Sequence, residues 1–229
     1  MKERPILFSA PMVRAILEGR KTQTRRVIKP PKWATVDDIE VWPNNAVFVE
    51  DDNEASFWIE CPYGKIGDRL WVRETWMPGT YGEVSCITYK ADNKSIAIEN
   101  TMEAADRWVS VRRKEEQWPE LKPATWRPSI HMPRWASRID LEITNVRVER
   151  LNDINEQDAI AEGIVIDIFN QGEPPKHGHF NCAGKYVPAF GEFDPARYKF
   201  FRLWESINGA GSWQQNPWVW VIEFKRIKP

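Results

Sequence analysis

Eight consecutive residues, Gly19-Arg20-Lys21-Thr22-Gln23-Thr24-Arg25-Arg26, gather one primary amine, two hydroxyls and three guanidiniums. Two kinds of chemistry fit that set. In water the cations make a solvated basic edge or a grip on phosphates. Out of water the amine is the group that yields: guanidiniums stay charged, whereas a desolvated lysine crowded by them gives up its proton and becomes a base. Two carboxylates elsewhere stand out. Glu162 falls in the last turn of a short helix expected over 156–162, where the negative end of the helix dipole disfavours ionisation and nudges its pKa upward. Helix stability asks for no acid there, while a site needing a proton donor does. Glu74 follows Leu70 and Val72 on one face of an expected strand, and an acid on such a face is either satisfied by a partner or lines a site.

The elements that must position these groups are legible around them. Residues 5–8 read as a short buried strand, and Ser9 and Pro11 open a helix whose apolar stripe is Met12, Val13, Ile16 and Leu17. Gly19 takes the left-handed conformation that stops it. Lys21 and Thr24 then leave the helix end together. On an ideal strand they point to opposite faces, so their convergence predicts a backbone that stays curled for one more turn. Gly64 to Asp68 is turn chemistry that launches a strand over 69–76. Residues 139–148 alternate apolar and polar, the pattern of a half-buried strand. Asn155 with Asp158 resembles a cap for the helix that Gly163 ends. Asp194-Pro195 opens a helix to about Ile207, and Trp218–Phe224 closes the chain as a strand apolar on both faces.

With 229 residues, 42% hydrophobic and 28% charged, the composition is that of an ordinary globular protein. It carries no apolar run of membrane-spanning length and no signal-peptide core, so a cytoplasmic protein with no membrane partner is expected. Cys61, Cys86 and Cys182 are scattered and odd in number, which fits reduced thiols. His177, His179 and Cys182 share a loop but lack a fourth ligand at zinc spacing, so no metal and no cofactor is expected. A net charge of −1 argues against binding duplex nucleic acid by bulk charge. Thirteen tryptophans are the compositional outlier, and most are expected in the core. The stretches at about 29–63 and 77–128 read as two large insertions, with strands around 84–90 and a charged helical patch near 102–117. Regular strand–helix alternation, a phosphate-binding glycine loop and a GxSxG elbow are all missing. The expectation is one α+β domain over 1–229 around a small, mostly antiparallel, barrel-like sheet.

Ile16-Leu17-Glu18-Gly19-Arg20-Lys21-Thr22-Gln23-Thr24-Arg25-Arg26 resembles the signature of the ASCH family, as do Gly67-Asp68 before a strand, Glu162-Gly163 after a strand–turn–helix, and the closing Val221-Ile222-Glu223-Phe224. The likeness covers about 5–28, 65–76, 138–165 and 217–227 and is nearest to larger, phage-related members. It implies a PUA-like β-barrel with flanking helices and a cleft for RNA or nucleobases. Short bacterial members are amidohydrolases that remove acyl groups from the exocyclic nitrogen of cytidine. Carried over by motif, the resemblance implies Lys21 as proton acceptor, Thr24 as nucleophile and Glu162 as proton donor, with Glu74 the reserve carboxylate.

That chemistry is coherent. A threonine hydroxyl needs a base beside it. For Lys21 to serve, its pKa must fall from about 10.4 to roughly 7–8, a bias of about 4 kcal/mol against the ammonium. Arg20 and Arg26 are candidate substrate contacts, an Arg or a backbone N–H would hold the oxyanion, and Trp71, Trp76 or Trp135 would stack on the pyrimidine. The expected substrate is a small acylated cytosine nucleoside or base. The rival readings are an RNA-binding or ribonucleolytic module, with RNA as partner, and a non-catalytic reader of modified bases.

Overall fold

The computed structural model describes residues 1–29, 39–42, 45–49, 56–81, 84–98, 106, 125–165, 178–180, 186–188 and 195–227. In chain order the early elements are β1 (Glu3–Leu7), α1 (Ala10–Leu17), β2 (Gln23–Val27), β3 (Ile39–Trp42), β4 (Asn45–Val49), β5 (Ser56–Glu60) and β6 (Arg69–Arg73). Then come β7 (Trp76–Tyr81), β8 (Val84–Tyr89), β9 (Ser95–Ala97), β10 (Asp140–Arg150) and α2 (Glu156–Ala161). The chain closes through β11 (Gly178–Phe180), β12 (Tyr186–Pro188), α3 (Pro195–Asn208) and β13 (Trp218–Ile227). The fold is mixed α+β, with strands predominating.

The backbone groups into two compact units, one of Met1–Glu3, Ala15–Arg69 and Leu141–Pro229, the other of Arg4–Arg14 and Leu70–Asp140. In the first, β10, β13 and β2 are successive neighbours. β13 and β2 are antiparallel, with Ile222 opposite Thr24 and Val221 opposite Arg25. Val219, Trp220, Val221, Ile222 and Phe224 are all buried, so β13 is covered on both faces as its sequence predicts. Under it, Leu151 and Ile154 from the turn before α2, Ala159 of α2, and Phe200 and Trp204 of α3 pack against Trp213, Val219 and Val221. The stretch at 29–63 holds the antiparallel meander β3–β4–β5.

In the second unit β1 neighbours β6, and β7–β8–β9 form an antiparallel meander. Trp76, Ile87, Tyr89, Met132 and Ala136 make its core. The strand expected over 69–76 is interrupted at Glu74 and Thr75, and Trp76 starts a separate strand. Of the charged patch near 102–117 only residue 106 is described, and His177 and Cys182 lie outside the described residues. Cys61 and Cys86 are both buried.

Among the described residues no sheet closes into a barrel. The barrel-like expectation gives way for a local reason. β2 ends its sheet, and its edge away from β13 is met by a helix: Lys21 bridges Glu162, and the Thr22 amide donates to the Ala161 carbonyl at 2.9 Å. Among the described residues no helix is long and apolar enough to cross a membrane.

Candidate functional site

Gly19, at φ 74°, turns the chain out of α1, and the amides of Arg20 and Lys21 both donate to the Ala15 carbonyl, at 2.8 and 3.0 Å. The turn is complete there. The extra curl expected between Lys21 and Thr24 does not form, because the Thr22 carbonyl already accepts from the Phe224 amide at 2.8 Å and the chain runs extended from Gln23. Strand alternation then puts Gln23 and Arg25 on one face and Thr24 and Arg26 on the other.

Lys21 reaches the strand edge instead. Its Nζ donates to the Gln23 carbonyl at 2.7 Å, the Glu162 carbonyl at 2.8 Å and Glu162 Oε2 at 2.7 Å. The Gln23 carbonyl belongs to the peptide bond that joins Gln23 to Thr24, so the amine lies beside the Thr24 backbone although the side chains alternate. Three acceptors around one nitrogen match the three N–H bonds of an ammonium, the resting form. Burial nevertheless holds Lys21 below the ordinary lysine range; the Glu162 carboxylate opposes that shift, and the Arg26 and Arg25 guanidiniums add to it.

Glu162 is delivered by α2. Asn155 caps that helix, its side chain accepting from the Asp158 amide at 2.8 Å as the sequence suggests. Glu162 is the last residue in helical backbone, and Gly163, at φ 92°, ends the helix. A Cβ on Gly163 would lie 3.0 Å from Ala15 Cβ and 3.1 Å from Lys21 Cβ, so glycine is needed for conformation and for space.

The structure adds residues that the sequence reading did not single out. Arg25, its side chain fully buried, points Nη1 at Glu162 Oε1 (3.4 Å) and Nη2 at Asp158 Oδ2 (2.8 Å) and Glu149 Oε2 (3.2 Å). The Phe200 ring lies 5.9 Å from its guanidinium carbon. Arg147 pairs with Asp158 at 3.1 Å and also with Glu149 and Glu223. The Gln23 amide fits with its oxygen toward Arg25 and its nitrogen toward Asp158. Burial pushes Asp158 up, but the Arg25 and Arg147 guanidiniums outweigh it and hold the group below its ordinary value. A signal for this cluster does exist in the sequence. Polar residues at 145, 147 and 149 alternate with the apolar Val146 and Val148, Gln23 and Arg25 share a face of the neighbouring polar segment, and Asp158 and Glu162 sit one helical turn apart.

The remaining candidates are placed otherwise. Arg20 is exposed and paired with Glu18, with a further bond to the Gly163 carbonyl at 3.1 Å. Glu74, in the second unit, is buried, and both its oxygens are held by Arg138, at 2.8 and 3.0 Å. Arg138 also grips Asp92 at 2.9 Å and covers the Tyr89 ring at 4.0 Å. Burial raises Glu74 above the usual carboxylate range against the pull of Arg138. Trp76 is 1% exposed, edge-on to Trp135 at 6.4 Å and under the Arg127 guanidinium at 5.3 Å. It is a core residue with no face left for a base, which corrects its reading as a stacking surface. Trp71 is buried too, with Arg73 at 4.7 Å and Arg134 at 6.0 Å from its ring. Trp135 is half-buried.

The chain matches no protein-family model, no curated protein and no solved structure. Its chemistry has to be read from its own atoms.

Proposed function

We propose that this chain is an amidohydrolase that removes the acyl group from the exocyclic nitrogen of N4-acylated cytidine or cytosine, on a PUA-like fold of the ASCH type. One observation carries the reading: a lysine amine shut off from water, bonded at 2.7 Å to a carboxylate able to take its proton, beside the peptide of a threonine. Moving one proton from Nζ to Glu162 Oε2 breaks an N–H bond, forms an O–H bond and leaves an amine next to a carboxylic acid. That couple is the base and the acid an acyl transfer needs.

The steps balance. The Thr24 hydroxyl attacks the acyl carbon while its proton goes to the Lys21 amine. Glu162 gives its proton to N4 as the C–N bond breaks, releasing cytidine and leaving an ester on Thr24. The pair is then back in its resting state. A second proton shift lets Lys21 deprotonate water and Glu162 protonate the departing threonine oxygen, which frees the carboxylic acid product. Arg26 shares a strand face with Thr24 and is suited to hold the oxyanion.

The phosphate-gripping reading is the weaker one. Of the octet, Arg20 is paired with Glu18, Lys21 is sealed against Glu162, and Arg25 is surrounded by three carboxylates. Cations already neutralised by the protein release few counterions from a nucleic acid.

Incubating the purified protein with N4-acetylcytidine and separating the products by chromatography tests the reading. Cytidine and acetate are expected from the wild type at a rate little changed by salt, and none from Thr24→Val. A wild type that makes no cytidine from acetyl, propionyl or benzoyl substrates overturns it.

A further inference from the structure

The geometry points to Arg25 as a positioning residue: it holds Oε1 of Glu162 and so leaves Oε2 as the oxygen that exchanges a proton with Lys21. This rests on the hydrolase reading for its kinetic consequences, though not for its structural ones. A carboxylate has two equivalent oxygens, and a side chain pivoting at the end of a helix would offer either. Here the two are distinguished. Oε2 faces Nζ of Lys21 at 2.7 Å, and Oε1 faces Nη1 of Arg25 at 3.4 Å. A guanidinium does not give up its proton, so Arg25 is a fixed donor and takes no part in the relay.

Arg25 is fixed in turn. Its other nitrogen is clamped between Asp158, at 2.8 Å, and Glu149, at 3.2 Å, and Arg147 braces Asp158 at 3.1 Å. Asp158 and Glu162 are one turn apart on α2, so the same guanidinium anchors both the helix and the acid it carries. The charged groups facing the Lys21–Glu162 couple are thus Arg25 and Arg26 from β2, with Asp158 of α2 and Glu149 of β10 behind Arg25. Loss of the Arg25 cation removes a positive neighbour from both members. The Lys21 ionisation then moves to higher pH, because the amine loses a neighbouring charge that favoured its neutral form.

The experiment compares wild type, Arg25→Gln, Arg25→Lys and Asp158→Asn. Folding is monitored by circular dichroism, pH–rate profiles are run on N4-acetylcytidine, and Lys21 is titrated through its 15N-labelled amine by NMR. Arg25→Gln is expected to lower kcat by about 10²-fold with KM within about twofold, the loss that misplacing a reacting group produces. The Lys21 titration moves up, and with it the limb of the pH profile that Lys21 sets. Arg25→Lys keeps the charge and loses the fork, so kcat falls while the limbs stay in place. Asp158→Asn gives the same loss more weakly and serves if Arg25→Gln fails to fold. Folded variants with kcat, profile and Lys21 titration all matching wild type overturn the assignment. The NMR titration reads Arg25 even in a protein that hydrolyses no acylcytidine, so failure of the hydrolase reading and failure of this one are told apart.

Discussion

Nζ of Lys21 stands 2.7 Å from Oε2 of Glu162, with the two side chains 0% and 4% exposed, and the pair fastens the edge of β2 to the end of α2. Two charges taken out of water recover their desolvation only through close geometry and full hydrogen bonding, and apolar residues of similar volume often serve stability as well or better. Here the geometry is close and every ammonium N–H is used. A couple so placed is therefore no large source of stability relative to an apolar pair, although losing one partner alone is costly.

Breaking the pair from one side strands a buried charge. Lys21→Met is therefore expected to lose about 3–5 kcal/mol, because Glu162 is left without its closest partner. Lys21→Met combined with Glu162→Leu removes both charges and recovers much of that loss, giving a double-mutant coupling well above 1 kcal/mol in denaturant titrations. Neither variant turns over an acylcytidine. Additive losses would mean that the two groups do not act as a unit.

Gly163→Ala tests the junction that aims Glu162. The positive φ of 92° disfavours any Cβ by about 1–2 kcal/mol. The new methyl also presses on Ala15 and Lys21 at 3.0 and 3.1 Å, both close to the backbone and unable to swing away. Together these predict a loss of about 2–4 kcal/mol and a measurable drop in melting temperature. Asn155→Ala, at the other end of α2, removes only the cap and costs about 1 kcal/mol. Equal effects at the two ends would refute the crowding argument.

Much of this architecture is legible in the sequence where one local rule governs. Gly19 and Gly163 end helices as their type suggests, the Asn155 cap forms, and the alternation of β10 and the apolar run of β13 are strands. Legibility stops where two segments distant in the chain must agree. The route of the backbone between Lys21 and Thr24 is set by the Phe224 amide, which donates to Thr22, and the Ala161 carbonyl, which accepts from it, each more than a hundred residues away. Arg25 reads as one more cation of a basic run until Glu149, Asp158 and Glu162 converge on it. Glu74 reads as an acid on an apolar face until Arg138 supplies its partner.

Acid titration separates the two buried acidic clusters by sign. The Arg25 and Arg147 guanidiniums hold Asp158 below the ordinary aspartate value of 3.8. The unfolded chain therefore binds the extra proton first, and the stability from this group is full above pH 3.8 and lost as pH falls through the lowered folded value. Glu74 is raised above 4.5, so its contribution is present below pH 4.5 and lost as pH rises through the raised value. Asp158→Asn should flatten the acid limb of a stability–pH curve, and Glu74→Gln should remove the decline on the other side. Variants whose curves parallel the wild type would exclude these groups as the source.

Thr24 is the residue whose part can be read directly from a trapped intermediate. Thr24→Ser keeps a hydroxyl at position 24 and is expected to retain hydrolysis, whereas Thr24→Val keeps the shape and loses it. Position 24 is buried opposite Ile222 and valine keeps the β-branched shape that a strand favours, so loss of turnover in a Thr24→Val shown to be folded reports chemistry. Acid quenching during turnover of a slowly hydrolysed benzoyl substrate should leave one acyl group on the peptide carrying Thr24, found by mass spectrometry. The label should be missing from Thr24→Val and from Lys21→Met, because the hydroxyl cannot attack without the amine to take its proton. An acyl group on Thr22 instead, the other hydroxyl of the octet and an exposed one, would move the nucleophile two residues back along the chain, out of the buried site and onto the surface.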